Sequence, residues 1–93
     1  AMKSLPAVEV LPAALEIARD IVVNTAPISV AVTKRLLWES LNLSPTQVER
    51  KETLLHYHLM RCADGREGPV AWLERRVPHW TSSVNDDWPE WPV

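Results

Sequence analysis

Trp72, Arg75 and Arg76 lie three and four residues apart in the stretch DGREGPVAWLERRVPHW, residues 64–80. If the stretch is helical, that spacing stacks the three side chains on one face. An indole offers a flat ring for stacking, and a guanidinium offers a planar fork that matches phosphate oxygens. Together they could hold a ligand with an aromatic ring and a phosphate. The same residue types are also common at plain protein contacts, where the arginines would be solvated or paired with Glu74 or Asp64. The opposite face, Val70, Leu73 and Val77, is expected to turn to the core. Asp64 and Glu67 have the spacing of a capping box, Pro69 is tolerable in a first turn, and Pro78 should end the helix.

Several other positions invite a chemical reading. Glu52 falls on an apolar stripe between Val48 and Leu55, but no partner acid accompanies it. A structural carboxylate bonded to a helix end or a basic residue is expected rather than a general base. Lys34, on an otherwise apolar helix, should lay its stem on apolar surface and send its ammonium outward or to Glu52. His56 and His58 fall on different helix faces and His79 is distant, so no metal site is expected from them or from Cys62. Cys62, the single cysteine, reads as a small core residue. No catalytic residue and no metal ligand is assigned.

The elements that must position these residues are helices. With two glycines in 93 residues, both within 64–80, the chain has little turn chemistry for hairpins. Leu11, Ala14, Leu15, Ala18 and Val22 recur at helical spacing over residues 10–24, with Pro12 in a first turn. Pro27 should end that helix near Asn24. A second helix is expected over 27–41, and both are apolar nearly all round, as suits helices touching protein on several sides. Ser44, Pro45 and Gln47 open a third helix with a capping box; its core stripe is Val48, Leu55, Leu59 and Cys62. The fourth helix is the one that carries Trp72. Residues 81–93 have no periodicity and read as an irregular tail whose Trp88 and Trp91 dock on something.

Composition narrows the function classes. The formal charge of −2 argues against a nucleic-acid partner, and no apolar run is long enough to span a bilayer. No secretory signal is evident, and a lone cysteine fits a reducing, cytoplasmic setting. The leading Ala-Met reads as a cloning remnant.

The order of motifs carries more information than any one of them. LPAALEIA, then the NTAP break, AVTK in the next helix, the carboxylate Glu52, and finally DGREG followed by AWLERR and a proline closely resemble the C-terminal helical region of the enoyl-CoA hydratase/isomerase, or crotonase, superfamily. The resemblance spans about residues 8–80. It implies an all-α fold of about four helices without the family's ββα spiral core: an N-terminal segment 1–9, a helical domain 10–80 and the tail 81–93. In that family the larger N-terminal part supplies the oxyanion hole and the catalytic carboxylates, so this chain alone is expected to be inactive. The helical region builds trimer-type subunit contacts, and its last helix presents an aromatic and a basic residue to the adenine and phosphates of CoA. Those roles would fall on Trp72, where the family usually has phenylalanine, and Arg75, where it usually has lysine. The implied partners are further copies of the chain or a catalytic core not contained in these residues, with the CoA moiety of an acyl-CoA as ligand and no required cofactor. The parent reaction would be hydration of a 2-enoyl-CoA, with isomerisation or thioester hydrolysis not separated from it. The competing expectation is a stand-alone helical protein-interaction module without CoA binding.

Overall fold

A computed structural model describes all 93 residues. It is all-helical: α1 (Ala7–Asn24), α2 (Pro27–Ser40), α3 (Pro45–Arg61), α4 (Ala63–Leu73) and a single turn, α5 (Val84–Asp87). α2 packs on α3 and on α5, and α3 packs on α4.

Local chemistry accounts for most of the boundaries. At the start of α3 the Ser44 hydroxyl accepts from the Gln47 amide at 3.2 Å, and the Gln47 side chain accepts from the Ser44 amide at 2.8 Å. The capping box is therefore formed as the sequence predicts. α2 opens with Pro27 in its first turn, where the missing amide costs nothing. α1, however, begins three residues earlier than expected, so Pro12 lies inside the helix. The carbonyl it leaves without a donor belongs to Val8, which is exposed, and water can satisfy it. α4 also starts early, at Ala63, which puts Pro69 inside that helix too.

The core is small. Ile28 and Val32 of α2 and Leu55 of α3 are buried, and Leu36, Leu59, Trp88 and Trp91 pack around them. The two tryptophans bring residues 88–91 back over the α2–α3 seam. Their rings stack with centroids 5.6 Å apart and planes 9° from parallel, and the Arg35 guanidinium lies 4.1 Å from the Trp91 ring. That geometry is a cation–π contact. An ion pair closes the same seam: Lys51 of α3 reaches Glu39 of α2 at 2.8 Å, which holds the Glu39 carboxyl below its ordinary range.

Of the two placements open to the Lys34 ammonium, the pair with Glu52 does not form; both side chains are exposed, and α2 and α3 are bridged through Glu39 and Lys51 instead. Glu52 is thus not a buried structural carboxylate. The helical register turns it to the open edge of the α2–α3 groove, where water solvates it.

α1 stands apart. None of its 18 residues is buried, and Val8, Leu11, Ile21 and Val22 are exposed. Its C-terminal end is tied to the rest by the Trp80 indole, which donates to the Val23 carbonyl at 3.0 Å. The radius of gyration is 16.1 Å, against about 12 Å for a compact domain of this length.

Candidate functional site: the concavity at the end of α4

α4 ends at Leu73, four residues short of where the proline alone would stop it. The termination is a Schellman motif, in which a left-handed residue lets two amides turn back to the last carbonyls. Arg76 N–H donates to the Ala71 carbonyl at 3.0 Å, and Arg75 N–H to the Trp72 carbonyl at 3.1 Å. Arg75 holds the left-handed position, with φ 54°, the only positive φ in the chain. Glycine usually occupies that place because it lacks a Cβ.

This early stop changes which residues are covered. Leu73 is 80% exposed and Val77 is also exposed, while the apolar side chain that α4 buries is Ala71, at 2%. The face expected for the core, Val70, Leu73 and Val77, therefore does not exist as one face. Beyond Leu73 the chain has left the helix, and the three-residue spacing no longer applies.

Trp72 and Arg75 nonetheless come together, by the turn rather than by the helix. Both line an open concavity of about 710 Å³, with Asn24 at the end of α1, Gly68 and Ala71 on α4, and Pro78 beyond the turn. Trp72 is 83% exposed and so presents most of its indole surface to solvent. The Arg75 guanidinium is exposed and enters no ion pair; the salt bridges of this region belong to Arg76.

Arg76 is committed to structure. It meets Glu67 in a two-pronged pair, Nη1 to Oε2 at 2.6 Å and Nη2 to Oε1 at 2.9 Å. Its Nε donates to Glu74 Oε2 at 2.6 Å. The Arg76 guanidinium, followed by the His79 amide at 2.7 Å, holds the Glu67 carboxyl well below the usual carboxylate range, at about 2. Glu67 is thus no capping residue: α4 begins before Asp64, and neither acid caps it through a side chain. Asp64 is instead 3% exposed and accepts the Thr81 and Ser82 amides at 2.8 and 3.1 Å. The two acids pin two successive parts of the chain after Pro78 back onto α4.

Cys62 joins α3 to α4. Its thiol donates to the His58 carbonyl at 3.4 Å, and burial, with Asp87 and Asp64 nearby, pushes its pKa up. A thiol kept protonated in this way is a poor nucleophile.

What this end of the molecule offers is a shallow, mixed surface with one broad indole and one uncommitted cation. No group within it is arranged for proton transfer or for attack on a substrate.

Comparison with known proteins places the architecture. No family model matches the chain. An enoyl-CoA hydratase of Alternaria alternata, ACTT3, is 37% identical over 81 residues, covering 87% of this chain and 27% of the relative. A second from the same fungus, AKT3-2, is 34% identical over 76 residues, covering 82% and 25%. Among solved structures, a probable enoyl-CoA hydratase/isomerase from Mycobacterium abscessus superposes with a TM-score of 0.81 at 46% identity, over 85% of this chain and 32% of that one. An enoyl-CoA hydratase from Mycobacterium tuberculosis gives 0.73 at 31% identity, over 86% and 31%. The chain spans about a quarter to a third of the length of the proteins it matches. The fold is that of a helical subdomain of a larger class of enzymes, those with the crotonase fold. Within that class the chain matches the C-terminal helical part of enoyl-CoA hydratase/isomerase, or crotonase, family enzymes.

Proposed function

We propose that these residues form the CoA-edge and self-association part of an enoyl-CoA hydratase/isomerase family enzyme acting on acyl-CoA thioesters, with the chemistry carried by other parts of the fold. The observation that carries the CoA half is the placement of Arg75. A non-glycine residue in the left-handed region is held there at a cost, and here the cost sets an uncommitted guanidinium beside an exposed indole on one concavity. Trp72 would stack on the adenine and Arg75 would take a phosphate oxygen. The parent reaction that fits the relatives' names best is hydration of a 2-enoyl-CoA.

The self-association half rests on α1, whose apolar residues are left open along its whole length. It also supports the second reading, a helical interaction module that binds protein and not CoA. Calorimetric titration of CoA into the chain, beside Trp72→Ala and Arg75→Ala, decides between them. Saturable binding that each substitution weakens about tenfold, a loss of ~1.4 kcal/mol, supports the CoA edge. Absence of binding by an associated chain removes the CoA role and leaves the interaction module.

A further inference from the structure

Arg75 needs its neighbours to keep it in place. The Schellman bonds fix the backbone on the α4 side, from Ala71 to Arg76. They leave the next residues unrestrained. After Arg76 the chain runs through Val77 and Pro78 to His79 with no backbone hydrogen bond of its own, and a free segment there would let the left-handed residue relax to ordinary φ.

Glu67 supplies the missing restraint. One oxygen accepts from Arg76 Nη1 at 2.6 Å and from the His79 amide at 2.7 Å, and the other accepts from Arg76 Nη2 at 2.9 Å. A single carboxylate on α4 thus holds both ends of the 76–79 segment. Most of the Arg76 fork is engaged as well, since Nε goes to Glu74 and Nη1 also reaches the Val77 carbonyl at 3.4 Å. With so few donors left, Arg76 cannot compete with Arg75 for a ligand's phosphate.

We infer that Glu67 is the positioning residue of this edge: by clamping Arg76 and the His79 amide to α4 it keeps Arg75 left-handed and turned into the concavity. Glu67 itself touches no ligand. The inference builds on the reading of the concavity as a CoA edge, but the conformation of Arg75 can be tested without any ligand.

The experiment uses the 93-residue chain as wild type, Glu67→Gln, Arg75→Ala and the double variant. The ligand-free arm is NMR: a positive φ gives a strong intraresidue NOE between amide and Hα protons, read at Arg75. Glu67→Gln should lose that NOE while circular dichroism shows the helices intact. Retention of the NOE in a folded Glu67→Gln chain would overturn the inference. If Glu67→Gln does not fold, Arg76→Lys, which keeps the charge and loses the two-pronged geometry, takes its place with the same two outcomes. The binding arm is a double-mutant cycle with CoA as the probe. Acting through Arg75 requires that the double variant bind no more weakly than Arg75→Ala alone. Additive losses would show that Glu67 acts on the ligand independently and would overturn the inference too. Should wild type bind no CoA, the CoA reading falls, and the NOE alone decides whether Glu67 positions Arg75.

Discussion

At the scale of single residues, Arg75 sets stability against binding. A left-handed conformation costs a residue with a Cβ roughly 1 kcal/mol relative to glycine. Arg75→Gly should therefore raise the melting temperature by about 4–8 °C, the shift that ~1 kcal/mol produces in a domain of this size, while weakening CoA binding. Thermal melts beside titrations check both, and a lower melting temperature would show that the turn is not strained. Glu67 gives the matching pH dependence. Its folded pKa, about 2, lies below its ordinary 4.5, so its stabilising contribution is complete above pH 4.5 and is lost as pH falls from there towards 2. The His79 amide resonance should shift across that window in the wild type and stay flat in Glu67→Gln. Sequence spacing groups Trp72 with Arg75 and Arg76 on a helical face that the chain does not form, and the family resemblance singles out Trp72 and Arg75. Trp72 and Arg75 line one concavity because a turn, and not a helix, carries Arg75 there. Nothing in the sequence flags that turn, since the usual marker, a glycine after the last helical residue, is here an arginine.

At the scale of elements, the legible boundaries are those set by side-chain chemistry near the helix ends. The Ser44–Gln47 box and the Pro27 start are local, so their residues suffice to place them. The extents of α1 and α4 are not legible: a proline suits a first turn, so Pro12 suggests a start near Val10, and the Asp64–Glu67 spacing suggests a cap that α4 does not use. Each helix instead runs through its proline, whose unpaired carbonyl α1 leaves in water. Trp88 and Trp91 are legible as docking residues but their place is not, because Arg35 is more than fifty positions earlier in the chain. Glu67 escapes for a similar reason: its partners are Arg76 and His79, and its spacing from Asp64 suggests a cap. The α3–α4 corner carries the sharpest packing constraint. A Cβ at Gly65 would collide with the Leu59 carbonyl and lie 3.2 Å from Met60 Cα, both of them backbone atoms that cannot swing aside. Gly65→Ala should then destabilise the chain by about 1–3 kcal/mol, the usual cost of overpacking, measured by urea unfolding. Gly68→Ala is the control, since its added methyl would meet only the edge of the Trp80 ring at 3.5 Å. A neutral Gly65→Ala would mean that α4 can slide away from the end of α3 without cost.

At the scale of the whole molecule, the surface is too large for the mass. The chain exposes 7588 Å², whereas a compact folded monomer of 10.6 kDa exposes about 5,500 Å². The excess, roughly 2,000 Å², is the size of a complete specific interface. Much of it is apolar and lies on α1, where Leu11, Leu15 and Val22 share one face at four- and seven-residue spacings and are all exposed. Folding alone cannot hide that face, because the core formed by α2, α3 and the C-terminal tryptophans lies elsewhere. Association can. The chain should therefore have a mass above 10.6 kDa by light scattering, rising with concentration, as binding through a shared apolar face requires. Leu15→Glu combined with Val22→Glu places two charges on that face and should return the mass to that of the monomer. The α2–α3 core does not include α1, so the near-ultraviolet signal of the stacked Trp88 and Trp91 should survive the double substitution. Loss of that signal along with the mass change would mean that α1 supports the core instead of covering a partner. A wild-type chain that is monodisperse at one-chain mass and unfolds cooperatively would mean that α1 folds back in solution, and the self-association proposed for these residues would fall with it.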